Sequence, residues 1–329
     1  MTSMEDIIFA LNAVMPIILM IAVGYLLKRV GMLPPATSPI LNKLVFRVFL
    51  PAMLFLNIYK IESFSDFDPT YIFYTVGITL ALFIIGIPVI CAIAKDNGQR
   101  GSLLQSVFRP NYALIGIPLA TSLFGEEGAI AATLLSAALI PIFNILAVIC
   151  LSVFCGEGKV SVKSVLLGIV KNPLIQGICA GLLAIGARAI FAELGIELSL
   201  TDAVPVYKTL EYLSDIATPV ALLVLGAQFE FSAIAALKKQ IIAGTLMRSL
   251  IVPVIGLAIA YFVGCFDGAH FATFVAVFCT PVAVSSVPMA QEMGGDVELA
   301  GQLVVWTTLF SGITIFLASY ILKVLGIFF

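Results

Sequence analysis

The chain has 329 residues, of which 61% are hydrophobic and only 11% charged, and its formal net charge is −2. Soluble domains carry about 25% charged residues, so this composition excludes a soluble protein and indicates a polytopic membrane protein. The chain has no basic run of the kind that binds nucleic acid, and we expect no nucleic-acid partner.

Hydropathy along the chain predicts ten membrane spans, because about 20 apolar residues are needed to cross a bilayer. In chain order the spans are about Ile7–Leu27, Ile40–Tyr59, Tyr71–Ala94, Gly101–Phe124, Gly128–Phe154, Val165–Ile190, Val206–Phe229, Ile241–Gly264, Phe271–Met293 and Leu299–Leu325. The six cysteines lie mostly inside these spans without paired spacing, so we interpret them as small core residues. Neither a metal site nor a cofactor is expected.

The distribution of Lys and Arg predicts the orientation of the spans, since cytoplasmic ends are enriched in both. If the N-terminus is outside, 13 of the 17 basic residues lie at cytoplasmic ends: Lys28, Arg29, Lys43, Arg47, Lys95, Arg100, Arg109, Lys159, Lys163, Lys171, Lys238, Lys239 and Arg248. The first apolar stretch lacks the basic start of a signal peptide and is expected to be a retained span. We therefore predict a multi-pass protein of the cytoplasmic (inner) membrane with both termini extracytoplasmic.

The fourth and ninth spans contain prolines that a regular helix does not accommodate. The fourth includes Pro110–Pro118, with two prolines and a glycine in nine residues, and the ninth includes Pro281–Pro288. Proline removes a backbone donor and clashes with the preceding turn. Broken backbone at membrane depth is tolerated only where it is buried in protein or lines a cavity. Two interrupted spans at corresponding positions predict the binding site of a transporter.

The prolines also relate the two halves of the chain. Pro51 matches Pro219 at an offset of 168, and Pro118 matches Pro288 at an offset of 170. Each half holds five spans, an odd number, so the halves enter the membrane in opposite directions, as in the inverted repeats of secondary transporters. We place the first repeat, ending near residue 155, and the start of the second within 1–190. The second repeat spans about 160–329, so most of it lies within the second division, 191–329. The acidic link 191–205 is the candidate boundary between the repeats.

Three runs of the chain resemble the auxin efflux carrier family: Leu41–Pro51, Pro110–Leu119 and Val287–Asp296. The chain lacks the long hydrophilic loop of the plant members and is similar to the compact bacterial branch, which includes permeases for malonate, malate and related organic acids. The resemblance implies ten spans in two inverted five-helix repeats, with helices 4 and 9 broken, a fold shared with the bile acid sodium symporters. It also implies that Asn111 occupies the substrate-carboxylate position, whereas the ninth span carries no matching asparagine.

A broken helix presents free N–H groups and partial positive charge at the start of its second half, which suits a carboxylate. We expect these second halves to begin near Ile117–Leu119 and near Pro288. The alternative is that the prolines merely kink packed helices. The candidate substrate-binding residues are Pro110, Asn111, Tyr112, Gly116, Pro118, Pro281, Ser285, Ser286 and Pro288.

Polar residues inside the spans are candidates for coupling or support: Arg47, Arg109, Asp215, Asn144 and Gln228. Arg47 and Arg109 either serve the site or extend their guanidinium groups to the cytoplasmic surface. Asp215 is the candidate proton carrier. Asn144 and Gln228 are interpreted as either site residues or interhelical hydrogen-bonding partners.

These patterns predict a secondary transporter that moves a small organic anion, such as malonate, malate or an auxin-like acid, by alternating access. The alternative is a channel-like or sensory membrane protein on the same fold. No nucleotide-binding or hydrolase motif and no catalytic residue is identified, so an enzyme ranks third. We expect proton coupling or uniport rather than sodium coupling, because sodium requires several oxygen ligands and the crossover offers few carboxylates. A homodimer is one assembly state that the sequence leaves open.

Overall fold

The computed structural model describes residues 3–61, 69–155, 162–195 and 199–328. These residues are almost entirely helical, and an isolated bridge between Pro110 and Val282 is the only extended pairing among them. The main helices are α1 (Ser3–Arg29), α2 (Ser38–Tyr59), α3 (Pro69–Ile93), α4 (Asn97–Phe108), α5 (Tyr112–Cys155), α6 (Val162–Lys171), α7 (Pro173–Glu193), α8 (Val204–Gln228), α9 (Lys238–Val263), α10 (Gly268–Phe278), α11 (Ser286–Glu292) and α12 (Val297–Val324).

Seven of the described helices are long and apolar enough to cross a membrane: α2, α3, α5, α7, α8, α9 and α12. The all-helical, multi-span class is thereby confirmed. Helices α4, α10 and α11 are shorter because they are parts of the two interrupted spans. The sixth span is also divided, at Asn172, whose side chain accepts a hydrogen bond from the N–H of Leu174 at the start of α7. The arrangement as ten spans in inverted repeats stays a prediction.

Each of three widened, π-type turns in the described chain ends two residues before a proline. The turns are Val45–Phe49, Tyr112–Gly116 and Met247–Ile251, and the prolines are Pro51, Pro118 and Pro253. A proline in a regular helix clashes with the carbonyl four residues earlier, and a wider turn relieves that clash. The helix therefore continues through Pro118. The second half of the broken fourth span begins at Tyr112, so the expected start near Ile117–Leu119 was wrong. The second half of the ninth span, α11, begins at Ser286, close to the expected Pro288.

The two helix breaks meet, and we call this meeting of residues 109–111 with 279–285 the crossing. The N–H of Asn111 donates to Pro281 O at 2.7 Å, and the N–H of Ala283 donates to Arg109 O at 3.2 Å. Each break thus satisfies backbone groups that the other leaves free, which removes part of the cost of interrupting a buried helix. The crossing positions the polar groups described below.

Close helix contacts hold the surrounding bundle together. A Cβ at Gly177 of α7 would lie 2.5 Å from the carbonyl oxygen of Pro51, and one at Gly181 would lie 3.0 Å from that of Phe55. Only glycine permits this approach of α7 to α2, in keeping with the role of small residues between membrane helices. Gly125, with φ of 60°, forms the turn that divides α5 between the predicted fourth and fifth spans.

The two ends of the bundle are named after the residues that mark them. At the Lys28 end, the ammonium group of Lys28 pairs with Glu230. At the Tyr59 end, the hydroxyl of Tyr59 lies 3.2 Å from the hydroxyl of Ser199. The predicted orientation assigns the Lys28 end to the cytoplasm.

Candidate functional site

A cavity of about 160 Å³ lies against the crossing. Residues from both breaks contribute to it, together with α2, α5, α7 and α8. The lining residues are Leu50, Met53, Leu54, Asn57, Arg109, Pro110, Asn111, Tyr112, Ala113, Leu114, Ile140, Phe143, Asn144, Leu174, Thr218, Ala221, Ala283, Val284 and Ser285. Most of the wall is apolar, and the polar groups gather where the breaks meet.

Arg109 is the one charged side chain among these lining residues. It is only 2% exposed, and its guanidinium group donates to Gln105 Oε1 at 2.8 Å, Asn144 Oδ1 at 3.0 Å and Ser285 Oγ at 3.1 Å. A further contact joins Nη1 to the sulfur of Met289 at 3.1 Å. All four partners are neutral, and no ion pair within the described part of the chain includes Arg109. Buried charges are normally paired, and this guanidinium carries a positive charge that no described acidic group neutralises. Its electrostatics favour an anion in the cavity.

Asn111 presents a free donor beside this charge. The residue is 8% exposed, and its side-chain Nδ2 is buried without a hydrogen-bond partner among the described residues. Its main-chain oxygen accepts from the N–H of Ile115 at 3.1 Å. The N–H groups of Tyr112, Ala113 and Leu114 therefore precede the hydrogen-bond ladder of α5. These three residues line the cavity, so the partially positive end of α5 faces it.

Three side-chain amides, which we call the amide cluster, connect α2, α8 and α11 toward the Lys28 end. Asn42 donates from Nδ2 to Gln228 Oε1 at 3.1 Å and to Gln291 Oε1 at 2.7 Å. On the same side, Arg47 lies 3.2 Å from the Glu292 carboxylate. These bonds join α2 to the second interrupted span beyond the cavity.

A second buried arginine, Arg248 of α9, lies at the other interrupted helix. It is 1% exposed and donates from Nε to Thr280 O at 2.7 Å and from Nη2 to Val277 O. The carbonyl end of α10 carries partial negative charge, and Arg248 donates directly to its carbonyl oxygens, whereas the guanidinium of Arg109 donates to side chains. Arg248 does not line the cavity.

The chain matches a known protein family along nearly its whole length. A sequence profile described as "Membrane transport protein" matches residues 9–156 and again 157–319, which together cover nearly the whole chain. The chain belongs to this membrane transport protein family. The resemblance to the auxin efflux carriers is confirmed by this match.

Two relatives are similar to this chain over more than nine tenths of its length. An uncharacterized transporter of Methanothermobacter thermautotrophicus is 24% identical over 94% of this chain and 98% of its own length. An uncharacterized transporter of Methanocaldococcus jannaschii is 25% identical over 95% of this chain and 98% of its own.

The structure of the transport protein brings some of the candidate residues to the cavity and not others. Those that line it are Arg109, Pro110, Asn111, Tyr112, Asn144 and Ser285; those that do not are Arg47, Gly116, Pro118, Asp215, Gln228, Pro281, Ser286 and Pro288. Of the two alternatives for each arginine, burial excludes extension of Arg109 to the surface, whereas the side chain of Arg47 is exposed and extends outward. Asp215 is exposed near the middle of α8.

The remaining candidates support the crossing. Tyr112 is 2% exposed, and its hydroxyl donates to Ala132 O at 2.8 Å, which holds the first turn of α5 against its later part. Pro281 supplies the carbonyl that accepts from Asn111. Ser286 is buried at the start of α11, and its hydroxyl has no partner within the described ranges.

Several residues of this site were missed from the sequence. Gln105 lies four residues before Arg109, on the same helix face, so that spacing was a usable signal. Asn57 and Thr218 also line the cavity; Asn57 lies on the helix that follows Pro51, and Thr218 lies directly before Pro219. The burial of Arg248 had no local signal, because its partners are backbone carbonyls about 30 residues away.

Proposed function

We propose that this protein is a secondary transporter that carries a small organic anion through the membrane by alternating access. The observation that supports the proposal best is the Arg109 guanidinium, buried on the cavity wall with neutral partners only. The free Nδ2 of Asn111 and the first N–H groups of α5 surround the same space. A carboxylate accepts hydrogen bonds from all three kinds of donor and supplies the missing negative charge.

The architecture proposed for this transporter is ten spans in two inverted five-helix repeats. The antiparallel pairing at the crossing and the family profile, which matches once before and once after residue 156, support this arrangement. In this scheme both termini are extracytoplasmic, and the substrate enters along α2. Leu50, Leu54 and Asn57 lie on one face of that helix and lead from the crossing toward the Tyr59 end.

Alternating access requires one side to be closed while the other is open. We propose that the amide cluster and the Arg47–Glu292 pair close the Lys28 end and separate when the substrate is released there. No carboxylate lines the cavity within the described chain. Sodium coupling, which requires several oxygen ligands, is therefore less well supported than proton coupling or uniport.

The test is transport by the purified protein in proteoliposomes, with a series of radiolabelled carboxylates. We expect saturable uptake driven by the substrate gradient, and loss of binding by at least about tenfold in Arg109→Gln, since hydrogen bonds to charged groups contribute about 1.5–3 kcal/mol. Arg29→Gln is the matched control, because Arg29 lies at the exposed end of α1 and bonds only Tyr25 among the described residues. Conductance without saturation would instead favour a channel.

A further inference from the structure

The charge of the cavity determines which carboxylates it accepts, if the proposed organic-anion function holds. Arg109 supplies one full positive charge, and the cavity has no second basic residue and no acidic residue among its described lining. The other polar groups of the wall, such as Asn57, Asn111 and Thr218, are neutral. We infer that the site takes an organic anion with a single negative charge and discriminates against dicarboxylate dianions.

The position of the polar groups leads to the same conclusion. Arg109, Asn111 and Ser285 come from the two breaks and line the same cavity at the crossing, where the proposed carboxylate binds. The wall beyond them is formed mainly by apolar side chains, including Leu50, Ile140 and Phe143. This wall suits an uncharged, largely apolar remainder of the substrate. A second carboxylate would lose water there without gaining a charged partner.

Neither the start of helix α5 nor the second buried arginine supplies another full charge to the cavity. The start of α5 contributes a partial positive charge of about one half, and it faces the region that Arg109 already serves. Arg248 is directed to the carbonyl oxygens of Val277 and Thr280 and lies outside the cavity lining. A bound monoanion therefore makes the loaded cavity nearly neutral, whereas a dianion leaves one negative charge uncompensated.

The experiment compares ligands that have the same shape and differ by one charge. Succinate and malonate are each paired with their monoamides, succinamate and malonamate, at pH 8, where every carboxyl group is ionised. Binding is measured by calorimetry on the purified protein, and competition by inhibition of the uptake of a labelled monocarboxylate. We expect each monoamide to bind at least about tenfold more tightly than its dianion.

Adding a positive charge to the cavity tests whether charge causes the preference for monoamides over dianions. Asn57→Lys adds a cation to the cavity wall and should narrow or reverse the preference for monoamides, and Met53→Lys is a second variant at a half-buried lining position. Asn97→Lys, at an exposed position outside the cavity, should leave the preference unchanged.

The outcomes separate this inference from the proposed function. Dianions that bind the natural protein as tightly as their monoamides would overturn the charge rule while leaving organic-anion transport intact. A preference for monoamides that both lysine variants leave unchanged would also overturn the charge rule, because an added cation would then fail to admit the dianion. If neither these ligands nor a series of monocarboxylates from acetate to phenylacetate binds or is transported, the organic-anion function itself fails.

Discussion

The Nε of Arg248 donates to the carbonyl oxygen of Thr280 at 2.7 Å, where the second interrupted span leaves its helix. Helix α9 thereby satisfies backbone that the break exposes. The first break uses its own arginine differently, because the guanidinium of Arg109 lines the cavity and bonds side chains. Two buried arginines thus serve the crossing in different ways, one as a support and one as part of the proposed site.

We expect Arg248→Gln to destabilise the protein rather than change its substrate preference. The substitution leaves buried carbonyl groups of Val277 and Thr280 with fewer donors, which costs about 1–3 kcal/mol. Thermal unfolding in detergent should show a lower midpoint, with Arg248→Lys intermediate. Ligand affinity of the folded fraction, measured at a temperature below unfolding, should change less than twofold. An Arg248 variant with an unchanged unfolding midpoint but a weakened ligand affinity would contradict the supporting role of Arg248.

Replacing Asn111 should weaken substrate binding more than folding. Asn111→Ala removes a donor whose Nδ2 has no other described partner, so affinity should fall by roughly tenfold or more if it bonds the carboxylate. Asn111→Asp should bind more weakly still, because its charge repels an anion. Asn97→Ala, at an exposed position, is the control. Unchanged transport kinetics in both Asn111 variants would remove this residue from the site.

Joining α2 to α11 covalently should stop transport without abolishing binding. The Nε of Arg47 lies 3.2 Å from the Glu292 carboxylate, so a bifunctional methanethiosulfonate reagent, which replaces the length of the two side chains, should bridge Arg47→Cys and Glu292→Cys in a chain whose exposed Cys179 and Cys265 are replaced by serine. A bridge keeps the Lys28 end closed, and uptake should recover when it is reduced. Either single cysteine variant is the control. Full transport by the bridged protein would show that this end does not open.

Transport should persist when sodium is absent. Within the described residues the cavity lining contains no carboxylate, and a hard cation needs several oxygen ligands. Uptake into proteoliposomes in choline buffer should equal uptake in sodium buffer, and a pH gradient should change the rate if protons are coupled. An absolute requirement for a sodium gradient, with no response to pH, would overturn this expectation.

Both termini should lie outside the cytoplasm. Burial of Arg109 and Arg248 removes two residues from the 13 assigned to cytoplasmic ends, but 11 remain against four at the other ends. Alkaline phosphatase fused to either terminus should be active and a fluorescent protein fused there should be dark, because each folds on one side only. A fluorescent terminal fusion would reverse the assignment.

The two helix breaks could be predicted from local chemistry, but the groups that pack against them could not. Proline removes a donor from its own helix, so Pro110 and Pro281 marked the two interruptions without any knowledge of the fold. The first residue of α5 could not be placed in the same way. The widened turn before Pro118 keeps that proline inside the helix, and such a turn depends on how the neighbouring helices pack.

The sequence by itself determined the membrane class, the approximate helices and the location of the crossing, because apolar length and backbone chemistry act over a few residues. Only the tertiary structure decided the fate of the polar side chains. Arg109 and Arg47 carry the same charge at similar predicted depths, yet one is buried with neutral partners and the other is exposed beside Glu292. The difference depends on which distant groups fold against each guanidinium, and a buried charge is retained only where those groups satisfy its donors.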